Sequence, residues 1–149
     1  MEVFRIALAQ YTDKLYASGR SNRWNHAGEK VIYTASSRSL ACLENVVHSS
    51  GEALGQHFKV MGIYIPDTAT MDVVQLDQLP EKWNRTARSK TCKKLGSAWI
   101  KGNRSLLLQV PSSLVPEEKN YLINPNHNEF DKVKIVDRQE FRFDQRIKR

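Results

Sequence analysis

The distribution of apolar and polar residues divides the chain into short strand-like stretches and two longer helical ones. Apolar stretches rich in β-branched residues predict strands at residues 3–9, 31–35, 57–65, 71–76 and 105–110. Alternating apolar and charged residues predict edge strands at residues 132–136 and 141–143. Apolar residues at helical spacing predict helices at residues 37–48 and 91–101. Ser36 or Ser37 is expected to cap the first helix, and Cys92, Leu95 and Trp99 are expected to share one face of the second. Short strands with two inserted helices indicate the α+β class.

The first predicted helix carries a charged residue on its apolar face. Leu40, Leu43 and Val47 recur at i, i+3 and i+7, so we expect them to anchor the helix on the core. Glu44 follows Leu40 by four residues and therefore shares this face. An unpaired carboxylate there would cost on the order of several kcal/mol or would have a raised pKa.

Two explanations of Glu44 stay open at this point. It forms a buried salt bridge, for which Arg5 and Arg23 are the candidates, or it borders a cavity in which a ligand pairs with it. In the second case, we expect the empty site to hold water and Arg23 opposite the carboxylate.

Composition and charge narrow the class of protein. With 40% hydrophobic and 26% charged residues, the chain is typical of a globular protein, and we expect one domain over residues 1–149 with a loose tail at 144–149. It has no apolar run of membrane-spanning length, and we expect no signal peptide because charges interrupt the first residues. Cys42 and Cys92 are read as reduced thiols of a cytoplasmic protein. The net charge of +7 indicates an anionic partner or substrate without specifying which.

A loop framed by glycines, residues 19–28, contains the first candidate ligand contacts. Arg23, Trp24 and Asn25 could hold a phosphate or a ribose through directed donors. Alternatively, the loop is bonded to its own backbone and Trp24 packs in the core. Tyr33, in the strand that follows, could stack on a planar ligand or could be an ordinary core residue.

The remaining candidates are two serines, the histidines and a basic segment. Ser112 and Ser113 follow an apolar strand, a common place for ligand contacts, although a polar strand end explains them equally well. The four histidines lack metal-ligand spacing, and there is no dinucleotide-binding glycine motif or P-loop, so we expect no metal. A basic segment, residues 82–104, contains Lys82, Arg85, Arg88, Lys90, Lys93, Lys94, Lys101 and Arg104.

Five motifs occur in an order that resembles the RES-domain family. Residues 21–25 read Ser-Asn-Arg-Trp-Asn, residues 31–35 Val-Ile-Tyr-Thr-Ala, and residues 40–44 Leu-Ala-Cys-Leu-Glu. Residues 110–112 read Val-Pro-Ser and residues 120–125 Asn-Tyr-Leu-Ile-Asn-Pro. The family comprises toxins of bacterial RES–Xre toxin–antitoxin pairs, and is named for an arginine, a glutamate and a serine. The first motif departs from the family in having serine and asparagine where glycines are usual.

The resemblance implies an ADP-ribosyltransferase-like fold, with short strands in a split sheet and a few helices. It implies an enzyme that consumes NAD by cleaving the nicotinamide–ribose bond, by hydrolysis, phosphorolysis or ADP-ribose transfer to a protein, without a metal. Arg23, Glu44 and Ser112 would be catalytic, with Ser113 as the alternative serine. Besides Arg23 and Ser112, the NAD contacts would be Trp24, Asn25 and Tyr33.

The resemblance also implies partners. An Xre-type antitoxin would block the site, and nucleic acid would be met only indirectly, through the antitoxin. The rival interpretation is a nucleic-acid- or protein-binding module that uses the basic segment without catalysis. The rival leaves Glu44 unexplained, and the segment lacks a nucleic-acid recognition motif.

Overall fold

The computed structural model describes residues 1–85 and 89–148. Its strands are β1 (Glu2–Leu8), β2 (Ile32–Ala35), β3 (Phe58–Tyr64), β4 (Met71–Val73), β5 (Leu107–Pro111), β6 (Lys119–Ile123) and β7 (Lys134–Phe141). Its α-helices are α1 (Arg38–His48) and α2 (Lys90–Gly102). Short 3-10 helices occur at Ala9–Tyr11, Ala53–Gly55, Leu76–Gln78 and Phe130–Lys132.

The seven strands form one mixed sheet in the order β4-β5-β6-β2-β1-β3-β7. The β4–β5 pair is parallel and every other pair is antiparallel. The two halves, β4-β5-β6-β2 and β1-β3-β7, meet at the β1–β2 pair, whose register contains the single residue pair Phe4 and Ala35. The sheet therefore opens between β1 and β2 beyond this contact, which leaves room for a cavity.

Most predicted elements are confirmed, and the differences have local causes. Residues 132–136 and 141–143 were predicted as two strands, but residues between them continue the ladder with β3, so they form one edge strand, β7. β6 was not predicted as a strand, because its polar start at Lys119 obscures the alternation. The strand predicted at residues 71–76 ends at Val73, and a 3-10 helix follows.

The orientation of α1 differs from the prediction. Ser37 caps the helix by accepting a hydrogen bond from the backbone N–H of Leu40 at 3.0 Å. Leu40 is buried, but Leu43 and Val47 are 39% and 49% exposed, so the expectation that they anchor the helix was wrong. The inward face of α1 instead contains buried Leu40 and Glu44. The helix is therefore oriented so that both an apolar and a charged side chain point inward.

The face predicted for α2 is confirmed. Cys92 and Trp99 are buried and Leu95 packs against the same cluster, while Asn103 ends the helix in the left-handed conformation, with a φ of 51°. Neither helix of the described chain is long and apolar enough to cross a membrane.

The described part of the C-terminal segment makes contacts with the end of α1. Lys148 Nζ donates hydrogen bonds to the backbone oxygens of Val46 at 2.8 Å and Ser49 at 2.6 Å. Arg149, the final residue of the expected tail, lies outside the described residues.

Gly96 allows α2 to pack directly on the glycine-framed loop. A Cβ placed at this position would lie 1.7 Å from the backbone oxygen of Trp24. No side chain fits there unless the helix or the loop moves, and the loop carries Arg23.

We expect Gly96→Ala to lower the free energy of unfolding by about 2 kcal/mol or more, because overpacking outweighs the better helix propensity of alanine. Thermal unfolding measures this as a drop in Tm of roughly 5 °C. Gly55→Ala is the matched control, since nothing lies within 4 Å of a Cβ at that position. Equal Tm values for the two variants would show that the loop and helix adjust without strain.

Candidate active site

A cavity of about 790 Å³ opens where the two halves of the sheet separate. Its polar lining includes Arg5, Arg23, Tyr33, Glu44, Ser113 and Asn120. Of the six predicted site residues, Arg23, Trp24, Tyr33 and Glu44 line this cavity, whereas Asn25 and Ser112 are not among its lining residues. The fold thus brings together side chains that are far apart in sequence.

The carboxylate of Glu44 is held by side chains from three elements. Its Oε1 accepts hydrogen bonds from Ser112 Oγ at 3.0 Å and from Asn120 Nδ2 at 2.8 Å, at the β5–β6 hairpin. Its Oε2 lies 3.7 Å from Nε2 of His48, one turn later on α1. The Glu44 side chain is 22% exposed, which places the carboxylate at the cavity wall and not deep in the core.

These contacts favour the ionised form of Glu44. Burial alone would raise the pKa of the carboxyl group, but the polar contacts from His48, Asn120 and Ser112 outweigh burial, and the pKa is lowered. Among the described residues, neither Arg5 nor Arg23 forms an ion pair with Glu44. The carboxylate therefore carries its charge at neutral pH, stabilised by neutral donors and His48.

The two adjacent serines have different positions. Ser112 is fully buried, and its Oγ donates to Glu44 while accepting from the backbone N–H groups of Leu114 at 3.1 Å and Val115 at 3.2 Å. Ser113 lines the cavity instead. Ser112 is thus placed to fix Glu44 from behind, and Ser113 is placed to meet a ligand.

The glycine-framed loop is closed largely by its own hydrogen bonds. Gly19 and Gly28 have φ angles of 74° and 90°, and Gly28 N donates to Gly19 O at 2.8 Å. Asn25 is 1% exposed, and its Nδ2 donates to three backbone oxygens within residues 20–29 at 2.8 to 3.2 Å. Asn25 thus organises the loop that carries Arg23.

Tyr33 is connected to the same loop through its hydroxyl group. The hydroxyl donates to Asn25 Oδ1 at 2.5 Å and accepts from the backbone N–H of Trp24 at 3.2 Å. Burial raises the pKa of Tyr33, so the phenol stays neutral. Trp24 itself is 3% exposed and packs on Trp83, with ring centroids 6.3 Å apart. The ring of Tyr33, and not its hydroxyl, is what this residue offers to the cavity.

Arg23 is fixed at the cavity wall by Trp83. Its Nη1 donates to the backbone oxygen of Trp83 at 2.9 Å, and its guanidinium lies 5.7 Å from the centroid of the Trp83 ring. Trp83 thus orients the guanidinium group of Arg23 on the side of the cavity that the glycine-framed loop forms.

Arg5 lines the cavity, although the sequence indicated it only as a possible salt-bridge partner of Glu44. It interrupts an apolar strand, and its Nη1 donates to the backbone oxygen of Tyr33 at 2.8 Å, across the opening between β1 and β2. Burial lowers the pKa of its guanidinium. Within residues 1–85 and 89–148, no carboxylate forms an ion pair with it. A charged residue in an apolar strand was the available sequence signal.

Only part of the basic segment faces the cavity. Lys90 and Lys93 line it, and Lys93 Nζ also donates to Ser21 Oγ at 2.6 Å and to Asn22 O at 2.5 Å. Arg88 lies outside the described residues. Across the part of the chain that the structure describes, no three His, Cys, Asp or Glu residues are grouped for metal binding.

Two partners of Glu44 were missed in the sequence. His48 follows Glu44 at i+4, a spacing that predicts a contact within a helix. Asn120 stands in the Asn-Tyr-Leu-Ile-Asn-Pro motif, but nothing local indicates that it reaches α1, since the contact depends on the pairing of β6 with β2.

The fold is similar to a solved structure described as the Mycobacterium tuberculosis MbcT–MbcA toxin–antitoxin complex. The TM-score is 0.77 at 14% identity, and the match covers 95% of this chain and 84% of that chain. This likeness concerns the fold alone, and it confirms the expected α+β, ADP-ribosyltransferase-like architecture.

Curated relatives match at the level of sequence. A protein named Toxin Res from Yersinia enterocolitica is 36% identical over 99% of this chain and 100% of its own length. A protein named Prs ADP-ribosylating toxin from a Sphingobium species is 38% identical over 84% of this chain and 79% of its own length. The RES domain model matches residues 2–144. This chain therefore belongs to the RES domain family.

Proposed function

We propose that this protein is the toxin of a toxin–antitoxin pair, and that it consumes NAD by cleaving the bond between nicotinamide and ribose. The observation that carries the proposal is the ionised carboxylate of Glu44, which two hydrogen bonds fix at the wall of a large cavity. Arginine and lysine side chains line the same cavity. Family membership and the names of the relatives support it.

Glu44 would act on the nicotinamide ribose. Breaking the glycosidic bond sends the bonding electron pair to nicotinamide, which leaves as a neutral base, so no strong general acid is required. The ribose carbon then develops oxocarbenium character. A nearby carboxylate stabilises this positive charge and can hold a ribose hydroxyl. Because Ser112 and Asn120 both donate to Oε1, Oε2 has only His48 nearby, at 3.7 Å, and can accept a hydrogen bond from the substrate.

Arg5 and Arg23 would bind the diphosphate of NAD from opposite sides of the opening. Arg5 has one hydrogen bond to the protein and no ion pair with a carboxylate among the described residues, so an anionic ligand would compensate its buried charge. Arg23 is oriented by Trp83. The ring of Tyr33 would stack on nicotinamide, while Trp24 and Asn25 would shape the loop around the ligand.

The nucleophile decides between three reactions. Water would give ADP-ribose, inorganic phosphate would give its phosphorylated derivative, and a protein side chain would accept ADP-ribose. All three share the departure of nicotinamide, and thus the same role of Glu44. The product spectrum with and without phosphate, and with candidate protein acceptors, identifies the reaction.

An Xre-type antitoxin would neutralise the protein by covering this cavity, in the cytoplasm. The Mycobacterium tuberculosis structure that shares the fold is a toxin–antitoxin complex, which supports a protein partner of this kind. Exposed lysines of the basic segment are available for an acidic partner surface, and nucleic acid would be approached through the antitoxin.

Wild-type protein mixed with NAD should release nicotinamide, and Glu44→Gln should slow the release by about a hundredfold or more. Glutamine keeps the shape and an acceptor for Ser112 and Asn120, so Tm should stay close to wild type. Glu117→Gln, at an exposed position, serves as the control. Chromatography of the products measures the release. No release from wild type, together with steeply salt-dependent nucleic-acid binding, would favour the binding-module interpretation.

Arg5→Met should raise the KM for NAD by about ten- to a hundredfold, because a charge-assisted contact to phosphate is lost. Nicotinamide riboside contains the same scissile bond without phosphate, so its cleavage should change much less. Arg38→Met is the control, because Arg38 on α1 is half-exposed. Its guanidinium carbon lies 4.4 Å from the ring centroid of Phe4, the neighbour of Arg5 on β1. An equal loss with both substrates would indicate that Arg5 merely supports the backbone at Tyr33.

Ser112→Ala and Ser113→Ala should separate the two serines. Ser112→Ala leaves backbone donors unpaired and releases Glu44, so it should lower both activity and the free energy of unfolding, the latter by about 1–3 kcal/mol. Ser113→Ala should leave Tm unchanged and act mainly on the KM for NAD. Urea unfolding and steady-state kinetics give both quantities. A larger loss of kcat in Ser113→Ala would make Ser113 the functional serine.

A further inference from the structure

The side chain of Asn120 contains a polar atom without a partner. Its Oδ1 is buried and accepts no hydrogen bond, and it is the one such side-chain atom found among the described residues. An unpaired buried acceptor is unfavourable, because it has lost water without gaining a donor. Asn120 therefore does not contribute to stability in the way that buried amides usually do.

The orientation of this amide is determined by Glu44. Nδ2 donates to Glu44 Oε1 at 2.8 Å, the same oxygen that accepts from Ser112. Rotating the amide by half a turn would place Oδ1 against the carboxylate, and two acceptors would face each other. As long as Glu44 is ionised, Asn120 therefore has to point its donor at the carboxylate and leave Oδ1 unpaired.

The backbone holds Asn120 firmly in this position. It lies in β6, paired on one side with Ala35 of β2 and on the other with Val110 of β5. Ala35 is the last residue of β2, and α1 begins three residues later. The pairing of Asn120 with Ala35 therefore places the amide next to the start of the helix that carries Glu44. The backbone of Asn120 therefore cannot move away from Glu44 without disturbing the sheet.

We propose that Asn120 is a positioning residue for Glu44, which fixes Oε1 and leaves Oε2 directed to the ligand at the expense of its own unpaired Oδ1. The inference rests on the proposed function, because it assigns Glu44 to the reaction. This role differs from that of an ordinary structural asparagine in one respect. An ordinary buried asparagine pairs both polar atoms of its amide, whereas Asn120 pairs only the donor, which contacts Glu44, and leaves its acceptor unpaired.

Several charged groups share the cavity with Glu44 and have to be considered in any pH dependence. His48 lies on the same helix, and the other groups are Arg5 on β1, Arg23 on the loop, and Lys90 and Lys93 on α2. Because His48 lies 3.7 Å from Oε2 of the same carboxylate, the test is made in the His48→Gln background, which removes this contact from the comparison.

The experiment compares Asn120→Ala with Asn126→Ala, an exposed asparagine outside the cavity. In Asn120→Ala, kcat/KM for NAD should fall about tenfold, with a deeper loss on the acid side because the ionised carboxylate has lost a donor. Tm should change little, because the lost donor to Glu44 and the removed unpaired acceptor act in opposite directions. Asn126→Ala should match the parent protein in both measurements. A clear fall of Tm in Asn120→Ala, with an unshifted acid limb, would overturn the proposal.

A second measurement does not depend on catalysis. The carboxyl carbon of Glu44 is followed by NMR through a pH titration, and its resonance is assigned by its absence in Glu44→Gln. The pKa of Glu44 should be higher in Asn120→Ala than in the parent protein, and an unchanged pKa would overturn the role of Asn120. If wild type releases no nicotinamide but this pKa shift is observed, the proposed function fails while the contact between Asn120 and Glu44 stands.

Discussion

An ionised carboxylate at the wall of a protein cavity has to be supplied with donors, and this requirement organises the region around Glu44. Burial works against the charge, so the charge persists only because Ser112, Asn120 and His48 are placed around it. Two of these donors come from the β5–β6 hairpin and one from α1 itself. The helix is turned to present Glu44 to them, and Leu43 is left exposed as a consequence.

The separation of the two sheet halves provides the space that this carboxylate faces. A fully paired β1 and β2 would close the sheet, but their register contains a single residue pair. Arg5 spans the opening by bonding to the backbone of Tyr33, so a side chain replaces part of the missing ladder. The glycine-framed loop covers another side and is held against α2 because Gly96 has no side chain. The cavity is therefore enclosed by specific contacts.

Local sequence patterns predicted the helices and strands, whereas the contacts within the candidate site depend on pairing between strands that are distant in sequence. The cap at Ser37 and the buried face of Cys92 and Trp99 depend on neighbours in sequence, so they could be predicted. Glu44 was recognisable as a charge on an apolar face. Its partnership with Asn120 was not, because it follows from the order of strands in the sheet. The burial of Leu43 was predicted wrongly because apolar spacing identifies a helix but does not decide how the helix is rotated against the core.

The site combines a rigid part with a more accessible one, and this division bears on the chemistry. Glu44 and Ser112 are fixed by hydrogen bonds at the β5–β6 hairpin, so in the proposed reaction they would suit the step that all three alternatives share, the loss of nicotinamide. The incoming nucleophile has to approach through the open side, where Ser113 and the side chains of α2 line the cavity. In the proposed function, the choice among water, phosphate and a protein side chain would therefore depend on the shape and charge of that entrance, and not on Glu44.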